Sequence, residues 1–206
     1  MGKAILLCLV LALAACAQVR SPTPIGPYPA KVDPTQVEGM WLSTYGGVSV
    51  SVEATDAMHG RFRATWLEPG DKGKGHVQRA ELAFRSDEDG GPGRYLSIRL
   101  APDYDSLDGA QPWMPVAFEI DPKAQFARIL VPDVDKFKEA VASGALPGTL
   151  GEQSISLGPL QRNHLEVMFG TAPVFLPLFH HDVVYYDFKR VSESPARSLL
   201  YPVEGH

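Results

Sequence analysis

The stretch Val48-Ser-Val50-Ser-Val52-Glu-Ala54 alternates apolar and polar side chains without interruption, and Arg61-Phe-Arg-Ala-Thr-Trp66 repeats the alternation. Neighbouring side chains of a β-strand point to opposite faces, so this period of two predicts strands with one buried and one solvated face. A parallel α/β sheet, buried on both faces, would show continuous apolar runs instead. The two stretches therefore predict an antiparallel sheet.

Further segments of the same character lie between clusters rich in Gly, Pro and Asp, which are typical of turns. They are residues 80–84, 95–100, 116–121, 127–131, 165–169 and 183–188. Eight or more short strands with one apolar face predict a mainly β domain, either an antiparallel barrel or a sandwich. A membrane-spanning barrel is disfavoured, because its strands need roughly 9–11 residues and these runs are mostly shorter and carry charges on their polar faces.

One helix is predicted among the strands, over residues 133–143. It begins with acidic residues, ends before Gly144 and places Phe137, Ala140 and Val141 on one face. Such a narrow apolar stripe would be marginal alone, so we expect the helix to pack on the sheet, as a surface connection or as a lid over the end of a barrel.

The composition limits the classes of function. The chain has 206 residues and a net charge of −5, and we find no basic patch, so nucleic acid is not an expected partner. An apolar fraction of 45% is enough for a sizeable core. We expect a single globular domain over residues 38–191 and a C-terminal tail over 192–206.

The N-terminus has the pattern of an export signal. Lys3 precedes an apolar run over residues 4–15, which as a helix would span only about 18 Å of a roughly 30 Å bilayer core. Leu13-Ala14-Ala15-Cys16 resembles the lipobox of bacterial lipoproteins. The resemblance implies a signal peptide over residues 1–15, fatty acylation (palmitate) of Cys16 and, with Ala17 following, anchoring at the periplasmic face of the outer membrane. The alternative is a plain secretory signal cleaved after small residues.

The cysteines and prolines extend this hypothesis. Cys8 would leave with the signal and Cys16 would be lipidated, so the mature chain would have no thiol for disulfides, thiolate metal sites or nucleophilic catalysis. Four prolines in residues 21–29 favour extended polyproline II. We therefore expect residues 16–37 to be a lipidated cysteine followed by a tether, the alternative being a proline-rich recognition motif.

A second resemblance concerns the first and last predicted strands. Gly39-Met40-Trp41 resembles the Gly-x-Trp that opens the first strand of lipocalins, and Arg190 follows the last predicted strand, where lipocalins place an arginine. The resemblance implies a barrel over residues 38–191 in which the Arg190 guanidinium stacks on Trp41 and closes the floor. The chain departs from the family pattern in its helix, which precedes the last strands, and we find no middle motif.

Motifs for catalysis or metal binding are weak. The glycine-rich residues 70–75 lack the Lys-Ser/Thr of a phosphate-binding loop, and the acidic residues 103–109 lack ligands that a calcium loop needs. His180-His181-Asp182 would point to opposite faces of a strand, although His164 could join one ring. Glu119, Glu166 and Asp187 sit mid-strand, on the outer face or in a lumen. We predict no metal, no cofactor and no catalytic activity.

An apolar segment over residues 173–179 is broken by two prolines, so it is neither a regular strand nor a helix. It is buried, or it contacts a ligand or partner; the residues we place in such contact are Phe175, Leu176, Phe179, Tyr185 and Tyr186, and Trp66 and Trp113 add aromatic surface. The leading hypothesis is a non-catalytic outer-membrane lipoprotein that binds a small apolar or amphiphilic ligand. The alternatives are docking of another envelope protein through a strand edge or the 173–179 segment and, with least support, an envelope hydrolase.

Overall fold

A computed structural model describes residues 18–44, 48–69, 75–101, 111–121, 123, 125–152, 154–170, 179 and 186–192. The elements in chain order are β1 (Gln18–Arg20), β2 (Tyr28–Pro29), α1 (Pro34–Val37), β3 (Gly39–Ser43), β4 (Ser49–Asp56), a 3-10 helix (Ala57–His59), β5 (Arg61–Pro69), β6 (Gly75–Ser86), β7 (Tyr95–Leu100), β8 (Met114–Ile120), β9 (Phe126–Leu130), α2 (Val134–Ala142), β10 (Gly148–Leu150), β11 (Ser154–Leu157), α3 (Arg162–Phe169) and β12 (Tyr186–Ser192).

Eight strands form a closed antiparallel barrel. Each strand from β3 to β8 pairs with the next one in the chain, β9 pairs with β12, and β12 closes the barrel by pairing with β3. The mainly β fold is thus confirmed, in its barrel form and not as a sandwich. Closure gives both edges of every barrel strand a partner.

The register places the apolar side chains of neighbouring strands side by side inside the barrel. Val50 lies opposite Trp66, Ala64 opposite Ala80, and Leu96 opposite Val116. The outer face carries ion pairs between strands, such as Arg63–Glu53 at 3.2 Å and Arg128–Asp187 at 2.8 Å. The period of two in the sequence therefore separates the inside of the barrel from the outside.

A second layer covers the outer face of β7, β8 and β9. It consists of α2, α3 and a small sheet in the order β1-β11-β10, in which β1 is parallel to β11. Its buried core includes Val19, Tyr95, Phe137, Ile155 and Phe169. Helix α2 confirms the helix predicted over 133–143; its N-cap Asp133 accepts from the Lys136 amide at 3.3 Å.

Residues 165–169, predicted as a strand, lie in helix α3, and that prediction is wrong. The buried side chains of α3 are Leu165, Met168 and Phe169, which are spaced as the inner face of a helix requires. A five-residue run of apolar residues is compatible with the periodicity of a strand and with that of a helix, so its pattern alone could not distinguish the two elements. The single predicted helix also becomes three α-helices within the described part of the chain; none of the described helices is both long and apolar enough to cross a membrane.

The tether predicted over residues 16–37 also needs correction, because residues 18–37 belong to the folded domain. Val19, Ile25 and Ala30 are almost fully buried. The Ile25 amide donates to Ser97 Oγ at 3.0 Å, and β2 pairs with β6. An extended proline-rich chain can lie along a sheet as well as cross solvent, and its few apolar residues hold it there. Cys16 and Ala17 lie outside the described residues.

Candidate ligand-binding cavity

A cavity of about 240 Å³ occupies the interior of the barrel. Its wall is built from inward side chains of the strands, among them Val52, Leu82, Leu96, Ile98, Met114 and Val116. The space arises because small residues alternate with large ones. Ala64 and Ala80 face each other across β5 and β6, and Ala127 lines the far side. Neighbouring alanines leave a volume that two larger side chains would fill.

Aromatic rings close the bottom of the cavity. Phe84 lies edge-on to Phe62 at 5.5 Å and to Phe118 at 5.1 Å between ring centroids. Such edge-to-face pairs are favourable, and they fill part of the barrel interior below the cavity. The strand ends near Phe62, the 3-10 helix and α1 form the floor, and the opposite end is the mouth.

Polar groups of the lining are concentrated at the mouth. Arg20, at the end of β1, and Gln111, just before β8, border the cavity there. The Trp41 ring forms part of the deep lining, but its indole Nε1 donates to the Val37 carbonyl at 2.9 Å. A bound molecule would therefore meet apolar surface deep in the barrel and polar side chains at its entrance.

The floor brings together the three residues singled out by the lipocalin resemblance. Arg190 pairs with Trp41 in the β12–β3 register, and its guanidinium carbon lies 5.4 Å from the Trp41 ring centroid. Arg190 also donates to the Thr35 carbonyl at 2.7 Å and to the Glu38 carbonyl. Gly39 has φ +136°, which favours glycine at the junction of α1 and β3. The Arg190 side chain thus links β12, β3 and α1 beneath the cavity.

The residues predicted to contact a ligand or partner lie elsewhere. Phe179 is fully buried outside the barrel, with its ring centroid 5.8 Å from that of Phe137 and 5.1 Å from that of Phe169. Its assignment as a contact residue is wrong, because it belongs to the core of the second layer. Phe175, Leu176 and Tyr185 lie outside the described residues, and Tyr186 is in β12 with its side chain outside them.

Of the two tryptophans predicted to supply pocket surface, the structure places Trp66 in the lining of the cavity. Trp113 is buried outside the barrel wall, with the guanidinium carbons of Arg61 and Arg99 at 5.2 Å and 4.5 Å from its ring centroid. The Trp113 ring contacts these cations on the outer face and does not line the cavity.

The acidic residues with a possible place in a lumen lie outside it. Glu119 and Asp187 are on the outer face beside Arg128, and Glu166 is on α3. His164 is also on α3, where its Nδ1 accepts from the Gln161 amide at 2.9 Å and caps the helix. Within the described ranges, no three His, Cys, Asp or Glu side chains are grouped so as to hold a metal ion; His180, His181 and Asp182 are outside those ranges.

A buried tyrosine with a raised pKa also lies in the second layer. Burial, together with the hydrogen bond that Tyr95 donates to Asp87 at 2.5 Å, raises the pKa of Tyr95 well above its usual value. Burial alone would raise the pKa of Asp87, but hydrogen bonds from Tyr95 and Arg94, with the charges of Arg94 and Arg162, hold it below its usual range. The group is a structural anchor for β7.

Sequence reasoning missed the cavity itself. It identified most of the apolar strand faces, but it placed the contact residues in the 173–186 region. The sequence carries the alanines of the inward positions, at Ala64, Ala80 and Ala127, but they indicate a space only once the strand pairing is known. No protein-family model, curated protein sequence or solved structure matches the chain.

Proposed function

We propose that this protein binds a small amphiphilic molecule with one apolar chain, such as a fatty acid or a lysolipid, inside the barrel. The observation that carries the proposal is the cavity of about 240 Å³, apolar within and polar at its mouth. Pockets for small ligands are generally concave and apolar, with a few polar groups that fix orientation. The chain of the ligand would lie against Leu82, Ile98 and Val116, with its tail toward Phe84.

The ligand's polar end is best matched by an anion. Arg20 lines the mouth, and guanidinium groups bind carboxylate or phosphate in a bidentate geometry. Gln111 adds a neutral hydrogen-bonding group beside it. Deep in the cavity, the indole N–H of Trp41 already serves Val37, so burying a polar ligand end there would cost free energy.

The cellular setting in this proposal is the periplasmic face of an outer membrane, with the chain anchored through lipid on Cys16. The support is the N-terminal sequence, in which a basic start and an apolar run lead to Leu13-Ala14-Ala15-Cys16. Several acyl chains, each methylene contributing about 0.8 kcal/mol on burial, would hold the protein firmly. An envelope protein of this kind would meet amphiphiles from the bilayer.

The test is calorimetric titration of a homologous series of fatty acids into the polypeptide without its signal and lipid, since the described fold begins at Gln18. Each added methylene should strengthen binding by about 0.8 kcal/mol, roughly fourfold in Kd, until the chain fills the cavity. Arg20→Gln should weaken binding of a fatty acid more than binding of the matching alcohol. Affinity that does not depend on chain length would contradict the proposal.

A cavity-filling variant sharpens this test. Ala80→Phe places a ring in the space between Ala80 and Ala64, and it should lower the affinity for the longest fatty acid more than roughly tenfold because at least two methylenes lose their place. The matched control is Ala142→Phe, the same exchange at an exposed position of α2. Equal losses in both variants would show that binding occurs outside the barrel.

Docking of another envelope protein through a strand edge is the second candidate function. Over the body of the barrel each strand has a partner on both sides, whereas β10 pairs only with β11 among the described strands and its three residues are exposed. Leu150 of that strand is half-exposed. A three-residue edge is short for strand addition, so the amphiphile proposal is better supported.

A further inference from the structure

The pairing of β5 with β6 extends farther at the mouth than the pairing of either strand with its other described neighbour. The ladder between β4 and β5 ends at Val50–Trp66, and the ladder between β6 and β7 ends at Ala80–Leu100. The pairing of β5 with β6, however, continues through Leu67–Val77 to Pro69–Gly75. Residues 67–69 and 75–77 therefore form a two-stranded ribbon, here called the mouth ribbon, and in the described part of the chain no other barrel strand pairs with it.

The outer face of the mouth ribbon carries an apolar pair at its base, and a basic residue follows on the same face of β6. Leu67 and Val77 lie directly opposite each other and are 61% and 56% exposed. Arg79, two residues from Val77 on the same face, is also exposed. A two-stranded ribbon is only marginally stable alone in water, and an exposed Leu–Val pair adds to the unfavourable exposed surface. These features point to a surface that covers the pair.

The proposed anchor brings a bilayer close to this end of the barrel. Arg20 at the mouth is four positions after Cys16 in the chain, and four residues span at most about 14 Å. Because residues 18–37 pack on the domain, no long spacer separates the lipid from the fold. Leu100, at the end of β7, is another partly exposed apolar residue on the same part of the rim.

We propose that the mouth ribbon inserts Leu67 and Val77 into the headgroup region of an anionic phospholipid bilayer, so that the cavity opens toward the membrane. Apolar side chains inserted to this depth are flanked favourably by cations, and Arg79 and Arg20 supply them. This inference rests on the proposed function and deepens it, since the cavity would then take its amphiphile directly from the bilayer.

The test compares two positions of the lipidated protein in vesicles of phosphatidylcholine and phosphatidylglycerol. Val77→Cys labels the ribbon with a polarity-sensitive fluorophore, and Val191→Cys is the matched control. Val191 is the same residue type, is 55% exposed and lies near Arg190 at the floor. The label at position 77 should shift to shorter emission wavelength and be quenched by phospholipid carrying a doxyl group near the head of its acyl chain. The label at 191 should do neither.

Equal quenching at the two positions, or no quenching at position 77, would overturn the ribbon proposal. The parent proposals are measured separately: the mass of the purified chain reports the lipid on Cys16, and the fatty acid series reports the cavity. A lipidated chain that binds fatty acids but keeps its label at position 77 in water would refute the ribbon proposal alone. A quenched ribbon on a chain that binds no fatty acid would refute only the cavity proposal.

Discussion

The contact between Arg190 and Trp41 ties the last barrel strand to the first, and its removal should reveal an energetic coupling. The change to make is a double-mutant cycle with Arg190→Ala, Trp41→Phe and the double variant. In the wild type the guanidinium carbon is 5.4 Å from the ring centroid, within the range of a cation–π contact. The same guanidinium holds α1 through Thr35 and Glu38.

The contacts in the structure give an expected change in unfolding free energy for each substitution. Arg190→Ala should lower the free energy of unfolding by about 2–3 kcal/mol, because it removes two charge-assisted hydrogen bonds to carbonyls that water only partly replaces. Trp41→Phe removes part of a buried ring and the hydrogen bond to Val37, at about 1–3 kcal/mol. The coupling energy should be about 0.5–1 kcal/mol. The stacking and the support of α1 need both side chains, so each single substitution removes them and the double variant cannot lose them again.

Urea unfolding followed by circular dichroism gives the four free energies. The control is Arg63→Ala combined with Trp41→Phe, because Arg63 is on the outer face of β5, paired with Glu53. That pair of substitutions should be additive within about 0.3 kcal/mol. Additivity in the Arg190 cycle as well would refute the claim that the two side chains support each other at the floor.

Three further predictions concern separate parts of the chain. Phe179→Ala should destabilise the fold by about 3–5 kcal/mol, measured in urea, and leave the fatty acid affinity of the folded protein unchanged, because Phe179 is buried in the second layer; a selective loss of binding would return Phe179 to the ligand site. The pKa of Asp87 is lower in the folded protein than its value of about 4 in the unfolded chain, so the ionised carboxylate stabilises the fold above about pH 4. This stabilisation is lost as the pH falls through the pKa of the folded state, so Asp87→Asn should flatten the acid limb of the plot of unfolding free energy against pH. An unchanged acid limb would contradict this. Cys16→Ser should abolish labelling by radioactive fatty acid and leave unprocessed precursor, because a hydroxyl cannot replace the thiolate as acceptor; label on the variant would remove the lipoprotein hypothesis.

The barrel could be predicted because its signal is local. In β4 and β5, alternate residues enter the core, so burial and sequence share a period of two. The 165–169 segment was assigned to the wrong element because five residues sample little more than one helical turn. The tether was wrong for a different reason: composition reports that residues 21–29 are extended, and only tertiary contacts decide whether an extended chain lies on a sheet.

The cavity could not be predicted because it depends on residues that meet only after the register is known. Ala64 and Ala80 are unremarkable in their own strands, and they leave a space because the β5–β6 pairing sets them opposite each other. The floor was easier to predict from the sequence, since Gly39, Trp41 and Arg190 carried a family resemblance. The aromatic segment near Phe179 misled because a large apolar residue in an irregular segment looks the same whether it is buried or exposed.

The central claim, that an amphiphile binds inside the barrel, is tested most directly by the position of the bound chain relative to the tryptophans. The protein has three, of which Trp41 and Trp66 line the cavity and Trp113 lies outside the wall. One variant, Trp41→Phe with Trp113→Phe, retains only Trp66, and another, Trp41→Phe with Trp66→Phe, retains only Trp113. A brominated fatty acid should quench Trp66 fluorescence saturably, with the midpoint of its calorimetric binding, and leave Trp113 fluorescence unchanged at the same concentrations. Equal quenching of the two, or an unquenched Trp66 at saturation, would contradict binding inside the barrel.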